Sequence, residues 1–89
     1  MLSLDLGNRS RRFLAKLPPK QAGQIDRKVS ALQENPFPQD FKPIKGSTYY
    51  RADIGEYRII YKIIGETLSV PLIGKRNDDD VYKRLKRMR

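Results

Sequence analysis

Residues 50–73 read YRADIGEYRIIYKIIGETLSVPLI, and two glycine-led breaks inside that stretch, Gly55-Glu56 and Gly65-Glu66, decide how the chain folds. Each break is two residues long with Gly first, as a type II′ hairpin turn requires. The flanking runs are rich in the Tyr, Ile and Val that suit a pleated, half-buried surface. Strands are therefore expected over residues 48–54, 57–64 and 67–73, joined as an antiparallel meander. Turn length then fixes register: the first turn pairs Ile54 with Tyr57, Ala52 with Ile59 and Tyr50 with Tyr61. The second pairs Ile64 with Thr67, Ile63 with Leu68, Tyr61 with Val70 and Ile59 with Leu72. The paired apolar residues share one face, and a one-residue slip at either turn would send such a set into water. Tyr50, Tyr57 and Tyr61 are packing residues on this reading. The opposite face carries Tyr49, Arg51 and Asp53, then Arg58, Ile60 and Lys62, then Ser69, Pro71 and Ile73. Pro71 cannot donate to a ladder, so its strand is either a sheet edge or bulged there.

Upstream, Leu2, Leu4 and Leu6 alternate with polar residues as a short first strand, stopped at Gly7-Asn8. Asn8 or Ser10 can cap a helix whose apolar positions are Phe13, Leu14 and Leu17. Pro18-Pro19 ends that helix and opens a second, where Ala22, Ile25, Val29 and Leu32 form one apolar stripe up to Asn35-Pro36. The two helices are expected to form an antiparallel pair. Residues 35–47 hold Pro36, Pro38, Pro43 and Gly46 and read as a crossing loop carrying Lys42 and Lys45 to the surface. Downstream, Asp78-Asp79-Asp80 offers an N-cap and an acidic first turn to a last helix bearing Tyr82 and the basic run Lys83, Arg84, Lys86, Arg87 and Arg89. The expected fold is a single α+β domain over residues 1–89, in the order β-α-α-β-β-β-α, with the helical hairpin packed on an antiparallel sheet.

Eighty-nine residues shelter only one modest core. Nineteen Lys and Arg stand against ten Asp and Glu, a formal charge of +9 that favours polyanions, chiefly nucleic acid. With no Cys and no His, disulfides, thiolate zinc sites, thiol nucleophiles and the commonest general base are all excluded. No metal constellation and no glycine-rich phosphate loop is present, so neither a metal nor another cofactor is expected. The first residues lack the pattern of a signal peptide, and no apolar run approaches a membrane span, so a soluble cytoplasmic protein without membrane contact is expected.

Arg51, Arg58, Arg76 and Lys75 converge by register on one end of one sheet face. Guanidinium forks there can hold a phosphate and stabilise charge developing in phosphoryl transfer, or they can form a solvated charged face. Asp53 lies directly across from Arg58, either as its ion-pair partner or as a group that orients it. Tyr49 and Tyr82 can stack on unpaired bases or pack on the sheet. Lys42, Lys45, Lys75 and Lys83 are candidate RNA contacts, with the C-terminal basic run adding non-specific attraction to phosphates.

Three segments, "KPIKG" from Lys42 to Gly46, "YRADIGEYRIIY" from Tyr50 to Tyr61 and "GKRNDDDVY" from Gly74 to Tyr82, together resemble the RelE/ParE superfamily of bacterial toxins over nearly the whole chain. For the RelE branch the resemblance implies a metal-independent endoribonuclease, an mRNA interferase that inhibits translation by cleaving mRNA at the ribosome and is held in check by a cognate acidic antitoxin. In that chemistry a 2′-hydroxyl attacks the neighbouring phosphate. The matching positions are Arg51, Arg58, Arg76 and Tyr82, with charge stabilisation implied for Arg58, phosphate positioning or proton transfer for Arg51 and Arg76, and base stacking for Tyr82. The chain departs from the pattern at Asp53, where well-studied members have a second basic residue. An arginine is a poor base, so Asp53 is the candidate proton acceptor if it escapes Arg58. The ParE branch instead implies a non-enzymatic DNA gyrase inhibitor, and a non-toxic RNA-binding module is the third reading.

Overall fold

The three meander strands form where the turns dictate. In the computed structural model, which describes residues 1–76 and the helix 80–87, with side chains in that helix given for Lys83, Leu85, Lys86 and Arg87, they are β3 (Tyr50–Ile54), β4 (Tyr57–Ile64) and β5 (Thr67–Lys75). Gly55 and Gly65 have φ of 57° and 60°, while no non-glycine residue among those described has positive φ, the backbone signature of a type II′ turn. Tyr50 faces Tyr61, Ala52 faces Ile59 and Ile54 faces Tyr57, as expected.

Two strands and two helices precede them. β1 (Ser3–Leu6) runs parallel to β5, α1 (Asn8–Ala15) and α2 (Pro19–Glu34) follow, and β2 (Lys42–Pro43) pairs antiparallel with β3. The strand order is β1-β5-β4-β3-β2, and α3 (Asp80–Arg87) closes the described chain. Ile25, Val29 and Leu32 of α2 pack with Ala52, Tyr57, Ile59, Tyr61, Leu68, Val70 and Ile73, and Phe13, Leu14 and Leu17 flank them. Each such aliphatic side chain contributes about 1.5–3 kcal/mol by leaving water.

Of the two readings of Pro71, edge or bulge, the bulge holds: β5 is interior, because β1 covers it. The structure corrects the sequence reading in four other places. The ladder is bulged: Lys62 faces Ser69 but Ile60 faces Leu72, so Tyr61 stands opposite both Val70 and Pro71. Beyond that extra residue the faces exchange, and Ile73, not Leu72, joins the helix-side core. Leu72 instead meets Ile60 and Leu85 of α3 in a second, smaller cluster, so the opposite face is not simply wet. The crossing loop contains β2, because residues 42 and 43 find free backbone partners on β3. The N-cap of α1 is Gly7, neither Asn8 nor Ser10. Ser10 is fully buried and donates a 2.8 Å hydrogen bond to the Val70 carbonyl at the bulge. Asp78 and Asp79, the expected cap of α3, lie outside the described residues, as do the side chains of Tyr82 and Arg84.

Candidate phosphate-binding site

Asp53 and Arg58 are cross-strand neighbours beside the first turn, an arrangement set by that turn alone. Nε and Nη2 of Arg58 donate to the two carboxylate oxygens at 2.8 and 3.2 Å, a two-point grip that fixes the guanidinium plane. The Arg58 side chain is only 10% exposed, whereas Asp53 retains 31%.

Arg76 completes the cluster from beyond β5. Its backbone N–H donates to the Glu56 carbonyl at 2.9 Å, extending the ladder by one step. Its Nη1 donates to the Gly55 carbonyl at 3.4 Å, and Nε lies 3.8 Å from Asp53. Its side chain is 54% exposed, so it is the accessible member of the group. The Arg58 hydrogen bond holds the Asp53 carboxyl below the usual carboxylate range; partial burial opposes this, and the charges of Arg58, Arg76 and Arg51 reinforce it. Three guanidinium groups thus act on one carboxylate at the end of the sheet.

Arg51, half-buried, lies in register with exposed Lys42 on β2. Like charges directly opposite on a sheet repel, and this register sets two cations side by side on the strand edge. The cleft at the sheet end, about 360 Å³, is lined by Gly55, Glu56, Lys75 and Arg76. Lys75 is paired with Tyr57 and so belongs to the helix-side phase, reaching this cleft only at its rim; the bulge separates it from the face of Arg58, where the unbulged register placed it.

Tyr49 is not an open stacking platform. Lys62 Nζ sits 4.8 Å from its ring centroid, and the ring packs on the Ile60–Leu72–Leu85 cluster. Lys62 itself was missed as a candidate, although strand parity puts it on the same face as Arg58. Lys45 and Lys83 are exposed, the first in the turn before β3 and the second on α3. Among the described residues no group of His, Cys, Asp or Glu is arranged to hold a metal ion, and no helix is long and apolar enough to cross a membrane.

Comparison with known proteins gives a consistent answer. The family model described as the ParE toxin of type II toxin–antitoxin systems, parDE, matches residues 8–80. The free E. coli RelE toxin, solved as a double arginine-to-alanine mutant, superposes with a TM-score of 0.81 at 24% identity, covering 99% of this chain and 98% of that one. The RelBE2 toxin–antitoxin complex of Mycobacterium tuberculosis gives 0.75 at 24% identity over 84% and 98% of the two chains. The RelB–RelE complex of Methanococcus jannaschii gives 0.67 at 23% identity over 89% and 95%. No curated protein sequence matches significantly.

Proposed function

Since the chain belongs to the ParE toxin family of type II toxin–antitoxin systems, we propose that it is the RNA-cleaving kind of toxin, a metal-independent endoribonuclease acting on mRNA at the ribosome. The observation that carries this reading is the arginine cluster at the open sheet end: Arg58 and Arg76 on one carboxylate, with Arg51 acting on it through its charge. In the proposed reaction the 2′-oxygen of a ribose attacks the adjacent phosphorus, and the bond from phosphorus to the 5′-oxygen of the next nucleotide breaks. The hydroxyl proton leaves the attacking oxygen, and the departing 5′-oxygen takes up a proton, leaving a cyclic phosphate and a free 5′-hydroxyl. The extra negative charge of the phosphorane intermediate is what fixed positive groups stabilise.

Exposed Arg76 is suited to grip the scissile phosphate directly. Arg58, nearly buried, supplies an oriented charge behind it, where low dielectric strengthens the interaction. Asp53 serves as the holder of both arginines, since a carboxylate stabilised as an anion by its neighbours is a weak proton acceptor. Arg51 with Lys42 and Lys62 continues the basic face along which a strand of RNA can run. Tyr82, one step into α3, is proposed to position the base next to the cleavage point. The cognate partner is an acidic antitoxin that covers this face or displaces α3; the M. tuberculosis and M. jannaschii relatives were solved with theirs.

The test is primer-extension mapping of cellular mRNA after induction of wild type, Arg58→Ala, Arg76→Ala and Tyr82→Phe, with folding checked by circular dichroism. Wild type is expected to generate discrete new 5′ ends within reading frames. Arg76→Ala is expected to lose about 10²–10³ in rate, the usual effect of removing one transition-state donor. The family model favours a second reading, binding and inhibition of DNA gyrase without cleavage. Intact transcripts together with accumulating supercoiling defects would establish that reading and overturn the first.

A further inference from the structure

Between α1 and α3, Arg9 and Arg12 of α1, Lys16 at its C-cap and Arg87 of α3 line a cleft of about 380 Å³ together with Phe13. Arg9, Arg12 and Lys16 recur at helical spacing and so occupy one stripe. All four cations are exposed, and none makes a hydrogen bond or ion pair among the described residues. The first turn contains no acidic residue, so Arg9 sits where the helix dipole disfavours a cation, whereas Arg12 in the last turn and Lys16 at the C-cap sit where it favours one. Like charges three and four residues apart also repel. The stripe therefore keeps one cation against the dipole and three in mutual repulsion, a load that an external anion would relieve.

The geometry points to a second nucleic-acid site here, one that grips the phosphate backbone of RNA outside the segment being cleaved. At 1.5 Å rise per residue, Arg9 and Lys16 lie about 10 Å apart along the helix axis. That separation lets the stripe engage more than one phosphate of a single RNA strand at once. Arginine forks supply two-point contacts to such oxygens. A docked protein segment would need apolar anchors, and among the described residues the only apolar one lining the cleft is Phe13, already engaged edge-to-face with Tyr57 at 5.9 Å. The inference extends the RNA reading, but its test needs no cleavage, so the two can fail separately.

The experiment measures binding of the full-length protein to a short, uniformly 2′-O-methylated RNA, which lacks the attacking hydroxyl, across a salt series. Arg9→Gln/Arg12→Gln is compared with Lys20→Gln/Arg27→Gln, which removes the same charge from exposed positions on α2. The α1 pair is expected to weaken binding on the order of tenfold near 0.1 M salt and to flatten the logarithmic salt slope by about 1.4 for single strands. The α2 pair is expected to leave the slope in place. Equal losses in both variants would mean that only net charge matters and would overturn the site. Unchanged RNA binding with weakened binding of the acidic antitoxin would assign the cleft to a protein and overturn it equally. The α1 substitutions relieve repulsion and the unfavourable placement of Arg9 but remove the favourable one of Arg12, so the thermal midpoint is expected to change little, and a melt of each variant separates loss of binding from unfolding.

Discussion

Replacing Asp53 by Asn removes a charge at the point where the fold and the proposed chemistry meet. Fully exposed ion pairs contribute about 0–1 kcal/mol, and breaking a fully buried pair costs about 3–5 kcal/mol. With Arg58 10% and Asp53 31% exposed, and with two hydrogen bonds between them, the expected loss is about 1–2 kcal/mol at neutral pH. For a chain of this size that is a fall of roughly 5–15 °C in thermal midpoint. The sign with pH follows from the lowered carboxyl: folding holds the proton less tightly than the unfolded chain does, so this stability is present above the unfolded value, near 3.9, and is lost as pH falls through the lower folded value. Urea titrations of wild type and Asp53→Asn between neutral and strongly acid pH should therefore converge at the acid end. A gap of constant size down to the lowest pH would refute the ion-pair account. Cleavage discriminates the role of the same group: as a holder of arginines, Asp53 can be replaced by Asn within about tenfold in rate, whereas loss of a general base costs about 10²–10⁴.

Tyr61→Phe deletes a hydroxyl that donates to the Pro36 carbonyl at 2.6 Å and should cost about 1–2 kcal/mol in chemical denaturation. Burial raises the Tyr61 hydroxyl above its ordinary value, so its contribution is complete below pH 10 and is lost as pH rises toward the folded value; the alkaline unfolding step should shrink in the variant. Gly7→Ala would bring a Cβ within 3.2 Å of Pro71 Cα and 3.3 Å of the Val70 carbonyl oxygen, both backbone atoms that cannot swing aside, and should destabilise by about 1–3 kcal/mol. A neutral effect in thermal melts would show that β1 and the bulge can move apart.

The meander and the two helices were legible because each rests on local chemistry: glycine-first turns set the β3–β4 register residue by residue, and Pro19 with Asn35 bounds α2 as its capping positions require. The convergence of Arg51, Arg58 and Asp53 was legible for the same reason, since all three lie on strands joined by one two-residue turn. What escaped was set by tertiary contact. β2 has only two residues and no periodicity of its own, and exists because β3 offers an edge. Ser10 reads as a cap in sequence but is drawn inward by the Val70 carbonyl, 60 residues away. The α1 cleft was hidden because half its meaning lies in Arg87, at the other end of the chain.

The bulge at Val70–Pro71 is the step that joins fold to site. In an unbroken ladder, residues of even number from Leu68 onward would all point toward the helices, Arg76 among them, and Lys75 would stand beside Arg58. With one extra residue on β5, Gly74 faces Arg58, Lys75 turns to the helix side and Arg76 reaches Asp53 on the Arg58 face. Pro71 suits the bulge because it has no N–H to leave unpaired there. The Val70 carbonyl, displaced from the β4 ladder, accepts from the Gly7 N–H at 3.0 Å and the Ser10 hydroxyl at 2.8 Å. Thus the start of α1, which carries no residue of the arginine cluster, holds the irregularity that brings Arg76 into it. Deleting Pro71 would restore an even ladder with Leu72 still opposite Ile60 and Gly74 still opposite Arg58, so Arg76 keeps its face. The Asp53–Arg76 contact and RNA cleavage are then expected to survive together, as a structure of the variant and primer extension would show. Loss of both would mean that the bulge itself, and not the residue count it absorbs, sets the position of Arg76.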